Sequence, residues 1–492
     1  MKKIKNILLI LALPLGFLSC TDLNESTYDK FPEGNYPENN FQASLALGPT
    51  YQALAPLIDD AGWWFWAQEI SSDEIVFPVR LTDWEDGGKW KVLHTHEWDN
   101  NTDAINNMWS HIYDGIFEAN LAIDLLPSSE EEATLISKAK LKTLRAYYYY
   151  LLIDNYGDVP YVTSFLSAPA QPEKETRENI YDAIVKDLED NVVYLPDAAN
   201  NFAVSKAMAY TLLAKLYLNA EVYTGVAEWE KAEMYCDKVM EFNYTLEGNP
   251  LDPFVAQNES SIENIFTIPF DESNLQGLRI HMRTLHYLSN QTFDMNVGPW
   301  NGFAVVEDHF NTYTDDDKRK EGFLYGPQFS SSGQALFDET AGANLSLNPH
   351  IPAIELTAAY TFQEIRMSGA RVAKFEIEKG AKENMNNDFP IFRYADVLLM
   401  KAESLIRQGK NGDDYVNQVR SRAGVDTWNG VTLEMLLEER GREMFCEGHR
   451  RQDLIRFGKF TDSWWEKSAS SSERNTFPIP QWAIDVNPNL AK

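Results

Sequence analysis

The sequence predicts a predominantly α-helical protein in which tetratricopeptide-like helix pairs support an irregular, loop-rich lobe with short strands. Three observations predict it. Apolar residues recur at helical spacing through both ends of the chain, helix-pair patterns return several times, and residues 250–390 have a different texture of short strand-like pieces in polar loops. The 492 residues are enough for a large core, and no strict 34-residue period organises them.

The chain opens with MKKIKNILLILALPLGFLSC, in which Lys2, Lys3 and Lys5 precede an apolar run from Ile7 to Leu18. That pattern is an export signal, too short to span a membrane. Cys20 stands where cleavage would expose its amino group, so residues 1–19 are expected to be a lipoprotein signal peptide and Cys20 a lipid acceptor. Residues 20–40 are polar, with two prolines, and read as a lipid-anchored tether. A single body is then expected over 41–492, with 250–390 as its variable lobe.

Within that body, residues 41–58 form a first helix and 100–126 a stronger one, with Ile105, Met108, Trp109, Ile112, Ile116, Ala119 and Ile123 on one face. Pro127 ends it. Further helices are expected from Glu130 to Ile153 and from Thr176 to Leu195. SKAMAYTLLAKLYLNAEVY and AEWEKAEMYCDKVME read as an antiparallel pair turning at Gly225, with Trp229 and Tyr235 between the helices. RYADVLLMKAESLIRQG, NGDDYVNQVRSRAG and TLEMLLEERGREMFCEGHRR repeat the theme. The stretch RVAKFEI is ambiguous in period.

The formal charge of −31 argues against nucleic acid and against anionic lipid as partners of the folded surface. Beyond Cys20 there remain only Cys236 and Cys446, both in helical patterns, so no disulfide framework is expected. His94 and His96 form an H-x-H pair that a strand would point to one face, with His111 in reach, but two histidines do not make a zinc site. Asp315, Asp316 and Asp317 precede Lys318 and Arg319 and read as a solvated turn in preference to a calcium loop. No nucleophile elbow, H-E-x-x-H helix or phosphate loop occurs in the chain, and nothing asks for a cofactor or metal.

The aromatic residues carry the functional signal. The chain has 13 Trp, and several cluster in loop-like segments where packing alone explains them poorly. A sugar ring offers an apolar face rimmed by hydroxyls, so its receptor needs flat aromatic platforms with amide, carboxylate or guanidinium groups at their edges. Residues 63–98 supply Trp63, Trp64, Trp66, Phe77, Arg80, Trp84, Asp86 and Trp90. Residues 281–303 supply His281, Arg283, Tyr287, Asp294, Asn296, Trp300, Asn301 and Phe303. The alternative is that these rings anchor long loops onto the helices.

Several blocks then share one order with a known family. The Cys20 leader, SSDE at 71–74, AKLYLNAEVYTG at 214–225, FRYADVLLMKAESLIRQG at 392–409, EERGREMFCEGHRRQDLIRFGKF at 438–460 and FPIPQWAIDVNPNL at 477–490 resemble the SusD/RagB family of Bacteroidetes outer-membrane lipoproteins. The resemblance implies four tetratricopeptide-like helix pairs under a variable recognition lobe. It also implies chiefly structural roles for Arg393, Tyr394, Glu403, Glu439, Arg442, Glu447, Gly448, Arg450, Arg451 and Asp453. It further implies a non-catalytic, lipid-anchored protein at the outer-membrane surface that captures oligosaccharides for a TonB-dependent transporter. The candidate contacts are Phe77, Arg80, Trp84, Arg283, Trp300, Asn301 and Phe303. The alternatives are a surface lipoprotein that binds peptides or another nutrient, a surface glycosidase whose two carboxyl groups flank the sugar, and a structural lipoprotein with no soluble ligand.

Overall fold

The computed structural model describes residues 45–59, 63–197 and 200–491. The expected signal peptide, the Cys20 lipidation site and the tether lie outside the described residues. Ten helices carry the description: α1 Trp64–Ile70, α2 Asp103–Leu125, α3 Glu132–Tyr156, α4 Arg177–Asn191, α5 Lys206–Leu218, α6 Trp229–Met240, α7 Tyr394–Arg407, α8 Asp413–Ala423, α9 Leu433–Glu443 and α10 Arg450–Arg456. The fold is predominantly helical, as the sequence predicts.

Local chemistry sets the helix ends. Thr176, Ser205 and Thr432 accept the N–H groups of Asn179, Met208 and Met435, capping α4, α5 and α9. Gly424, at a φ of 84°, closes α8. Within the described part of the expected helix over 41–58, Gly48–Gln52 forms a short helix and Ala55–Leu57 a 3-10 turn, with Pro49 and Pro56 each in the first turn of its segment. Between α5 and α6 a further short helix, Ala220–Thr224, precedes Gly225.

Successive helices pack as neighbours, α2 on α3, α5 on α6 and α7 on α8. In α3 the run Tyr147 to Tyr150 is buried all round, the mark of a helix enclosed by others. Tyr148 donates to Thr50 O at 2.7 Å and Tyr149 to Val162 O at 2.8 Å, which satisfies two of the buried hydroxyls. Tyr235 stacks on Tyr217 at 5.4 Å, whereas Trp229 is only partly buried and lies under the Arg407 guanidinium at 4.8 Å.

Short strands join the remaining segments, among them β1 Ile75–Val76, β2 Val79–Arg80, β3 Asn264–Ile268, β4 Ala304–Val305, β5 Phe323–Leu324, β6 Glu355–Leu356, β7 Arg371–Val372 and β8 Phe389–Arg393. β8 pairs antiparallel with β3, so the intervening chain leaves and returns at one place. β1 pairs with β4, β2 runs parallel to β6, and β7 pairs with β5. Residues 75–80 are thus stitched into the irregular region through two strand pairs. One continuous apolar core joins Trp66, Tyr147, Leu212, Phe303 and Phe392, spanning helices and lobe alike.

Two distant blocks interlock at the base of this core. Arg450 clasps Asp73 with two hydrogen bonds of 2.7 and 2.8 Å, and Gly448 N–H donates to Glu69 at 2.6 Å. A Cβ on Gly448 would stand 2.6 Å from the Trp64 ring, and its φ is 79°, so glycine is required there on both counts. Glu69 and Glu74 are both buried, and each leaves one carboxyl oxygen unbonded. Burial pushes the Glu69 carboxyl up to about 8, despite the Gly448 N–H, Lys374 and Arg450, with Glu447 adding to the rise. Burial and the neighbouring Glu69 raise Glu74 too.

A carboxyl raised in the folded state contributes stability that is complete below its unfolded value of 4.5 and is lost as pH rises through about 8. Urea unfolding at pH 5.5 and pH 8 is expected to show wild type losing on the order of 2 kcal/mol more than Glu69→Gln over that interval. Equal losses in the two proteins would contradict a protonated Glu69.

Candidate ligand-binding face

The two sequence segments rich in aromatics meet. Phe77 stacks on Trp90 at 4.1 Å and 14°, and Trp66 and Phe77 each meet Phe303 at 5.4 Å. Trp63 lies 4.8 Å from Trp90. Above this floor, Trp84 sits 5.0 Å from Phe77 and donates its indole N–H to Trp300 O at 2.9 Å. Trp84 and Trp300 are half-buried, while Trp63, Trp66, Phe77, Trp90 and Phe303 are buried.

At the centre stands Arg283, with its guanidinium carbon 5.3 Å from the rings of Trp66 and Trp300, 5.5 Å from Trp90 and 5.7 Å from Trp84. Burial pulls its pKa down to about 10, with Asp59 opposing, so it remains a cation at neutral pH and lies against four electron-rich ring faces. Lys89 adds a second cation, 4.9 Å from Trp90 and 5.6 Å from Trp63.

Backbone geometry brings Trp84 and Trp300 together. Trp84 adopts a φ of 64° and Asn301 a φ of 52°, both in the left-handed region. Trp300 N–H donates to Met282 O at 2.7 Å and Gly302 N–H to Arg283 O at 2.7 Å, which pins the turn to the Ile280–Thr284 helix. Gly302 is required by contact: a Cβ there would lie 2.6 Å from both Arg283 O and the Trp84 ring.

The rim is polar. Asp83, Glu85 and Asp86 are exposed beside Trp84, and Asp86 accepts the Trp90 indole N–H at 2.8 Å. Tyr287 donates to Asp83 at 2.5 Å and lies 4.6 Å from the Arg366 guanidinium, which bonds Asp338 at 2.6 Å. Burial, then the Asp83 contact, pushes the Tyr287 phenol up to about 12, so it stays a neutral donor. Asn296 is exposed, and Asp294 accepts from Ser331. Half-buried indoles with carboxylates and a phenol at their margin can bind a ring that has an apolar face and hydroxyl edges.

The candidate contacts therefore divide. Trp84 and Trp300 reach the surface. Phe77, Phe303, Arg80, Asn301 and Arg283 do not, being at most 5% exposed. Phe77 and Phe303 form the floor, and Arg80 spends its guanidinium on the carbonyls of Asn301, Ile365 and Ser368. These five are corrected from direct contacts to supports beneath the face: Phe77 and Phe303 pack on Trp66, Arg80 and Asn301 are held by buried hydrogen bonds, and Arg283 lies against the indole rings. Trp90 and Tyr287 stood in the aromatic segments but not among the chosen contacts. Asp83 went unnoticed, and its position beside Trp84 was the available signal.

Other candidate clusters dissolve. His94 ends a short helix, Lys91–His94, instead of sharing a strand with His96. Its ring meets Trp465 O at 2.9 Å, and that of His96 meets Ser71 O at 2.8 Å. Asp317 binds Arg319 and Asp315 binds Lys320. Among the described residues no cluster of three metal-ligating side chains occurs. Large concavities lie elsewhere, one of 720 Å³ near Tyr210 and Tyr244 and one of 700 Å³ near Tyr51 and Phe202.

Residues 262–476 match the family described as the SusD family, and residues 73–218 match one described as starch-binding associating with outer membrane. The starch-binding protein SusD of Bacteroides thetaiotaomicron is 26% identical, over 100% of this chain and 98% of its own. Among solved structures, surface glycan-binding protein A of the same organism, in complex with laminarihexaose, superposes with a TM-score of 0.71 at 22% identity, covering 91% of this chain and 98% of that one. A laminarin-binding SusD-like protein gives a TM-score of 0.73 at 21% identity, with the same coverage.

Gly302→Ala is expected to cost about 1–3 kcal/mol through overpacking and to alter the near-ultraviolet circular dichroism of the indoles. An unchanged spectrum would show that Trp84 does not rest on this glycine.

Proposed function

Because the chain belongs to the SusD/RagB family, we propose that it is a non-catalytic cell-surface glycan-binding protein that captures oligosaccharides on the Trp84–Trp300 face. It hands them to a TonB-dependent outer-membrane transporter, while a lipid on Cys20 holds it at the surface of the outer membrane. The observation that carries this reading is the pair of half-exposed indoles, joined by the 2.9 Å bond from Trp84 to Trp300 O and rimmed by Asp83, Asp86 and Tyr287. Relatives named for starch and laminarin binding support the ligand class.

Capture proceeds by stacking. An apolar sugar face displaces water from the indoles, and the rim groups orient hydroxyls. Asp83 accepts a hydrogen bond from a sugar hydroxyl without leaving Tyr287, since a carboxylate has several acceptor sites. The Arg283 cation beneath the rings is held within the fold, so the face itself presents neutral aromatic surface and carboxylate edges. Contacts of this kind release readily, which suits transfer to a transporter.

Calorimetric titration of the mature protein lacking Cys20 with laminarihexaose and with soluble starch tests the reading. Saturable binding is expected without release of new reducing ends, and Trp84→Ala or Trp300→Ala is expected to weaken it by about tenfold or more. Silence across a broad glycan panel, with binding of peptides, would replace the ligand class; product formation would replace the non-catalytic role. In cells, Cys20→Ala is expected to move the protein from the membrane fraction to the soluble one, and continued membrane attachment would contradict the lipid anchor.

A further inference from the structure

We propose that Arg371, acting through Asn301, is the positioning residue that sets both Trp300 and Trp84 for ligand. This rests on the glycan-face reading above, but the geometry behind it is independent of the ligand.

Every polar atom of Asn301 is engaged. Its N–H donates to Leu285 O at 2.9 Å, its carbonyl accepts from Arg80 Nε at 2.9 Å, its Oδ1 accepts from Arg371 at 2.7 Å, and its Nδ2 donates to Arg366 O at 3.0 Å. The residue is 0% exposed and left-handed, so its conformation is dictated from all sides. Trp300 immediately precedes it, and Trp300 O receives the Trp84 indole. The two surface rings therefore share one anchor, and that anchor is Asn301.

Arg371 joins this anchor from outside both aromatic segments. At the start of β7, its guanidinium also donates to Ser368 O at 2.8 Å and to Gly369 O, so it ties the Trp300 turn to the segment before β7. Arg80 reaches Ser368 O from β2 at 3.0 Å. Two buried guanidiniums thus converge on one turn, donating to carbonyl and amide oxygens, with only the Arg371 Nε left without a partner. Among the described residues neither forms an ion pair with a carboxylate, whereas the buried Arg393, Arg440 and Arg456 are paired. Burial, and then the Arg80 charge, pulls the Arg371 pKa well down; burial brings Arg80 to about 10. Holding two such cations side by side is costly, and apolar side chains would fill the same volume at lower cost. What the forked donors supply instead is a fixed direction for the Asn301 side chain, hence for the rings on either side of it.

The test uses the mature protein and the variants Arg371→Met, Arg371→Lys and Asn301→Gly. Glycine keeps the left-handed turn accessible and removes only the side-chain partners, so this variant carries the test if Arg371→Met fails to fold. Near-ultraviolet circular dichroism and acrylamide quenching of tryptophan are read without ligand, and affinity is read with laminarihexaose and soluble starch. Arg371→Met and Asn301→Gly are expected to change the indole spectrum, raise quenching and weaken binding by about tenfold. Arg371→Lys, which keeps one donor toward Asn301, is expected to recover part of both. Leu212→Ala, in the core of α5, is expected to lower the melting temperature without moving either signal. The proposal is overturned if Arg371→Met and Asn301→Gly keep wild-type spectra, or if Leu212→Ala perturbs the indoles as much as they do. If wild type binds neither glycan, the ligand class fails while the spectra still decide the positioning role.

Discussion

The rest of the structure depends on Arg393, placed where β8 ends and α7 begins. Its guanidinium reaches Glu263 at 2.8 Å, Glu443 at 2.7 Å and Glu447 at 2.6 Å, and all four residues are buried. Arg422 and Arg319 share Glu443, and Lys374 shares Glu447. Burial alone would push the Glu443 carboxyl up, yet Arg422, Arg393, Arg319 and Lys374 outweigh it and hold it well below the usual range. Glu263, Arg319 and Lys374 belong to the irregular region, Glu443 and Glu447 to the helical end, so one polar cluster joins the two. Such a network adds little net stability against an apolar alternative, but removing one member leaves charge stranded without water. It therefore acts as a register: the segments must meet with every partner in place.

A second network does the same for the helices. Arg440 bridges Asp396 and Asp453, Arg456 bridges Glu403 and Asp453, and Lys215 reaches Asp396, linking α5, α7, α9 and α10. The clasp of Arg450 on Asp73 then ties the segment after α1 to the start of α10. Residues 75–90 and 281–303, which make the aromatic face, hang from this framework through β1, β2 and β4. A shallow arrangement of loops can hold ring faces in fixed orientation only when its base is rigid. The buried floor of Trp66, Phe77, Trp90 and Phe303 supplies that base, and Trp84 and Trp300 are its outermost layer.

Much of the helical body was legible in the sequence. Periodic apolar faces and turn residues place α2 to α8 within a few residues, because each depends on neighbours only three or four positions away, whereas the last run breaks after Glu443 and puts Cys446 in a left-handed turn instead of a helix. The charged blocks around Arg393, Glu447 and Arg450 were identifiable as structural through their resemblance to a family, and their burial in mutual pairs agrees. The site was legible only in part. Aromatic clustering singled out both segments, with Trp84 and Trp300 in them, but alternation in short strands does not reveal that Phe77, Arg80 and Phe303 turn inward. His94 and His96 looked like a strand pair because a period of two is indistinguishable over three residues from a helix end followed by a left-handed turn.

By itself, the sequence determined that this is a helical, acidic protein with six of its 13 tryptophans between residues 63 and 98, since composition and short-range periodicity are local properties. Only the tertiary structure decided which of those rings face water. That outcome rests on contacts between segments far apart in the chain: Trp84 with Trp300 O, Arg80 and Arg371 with Asn301, and Gly302 beneath the Trp84 ring. No pattern along the chain encodes them, because each is a coincidence in space between segments whose meeting is fixed by packing and by the buried charges that permit one register.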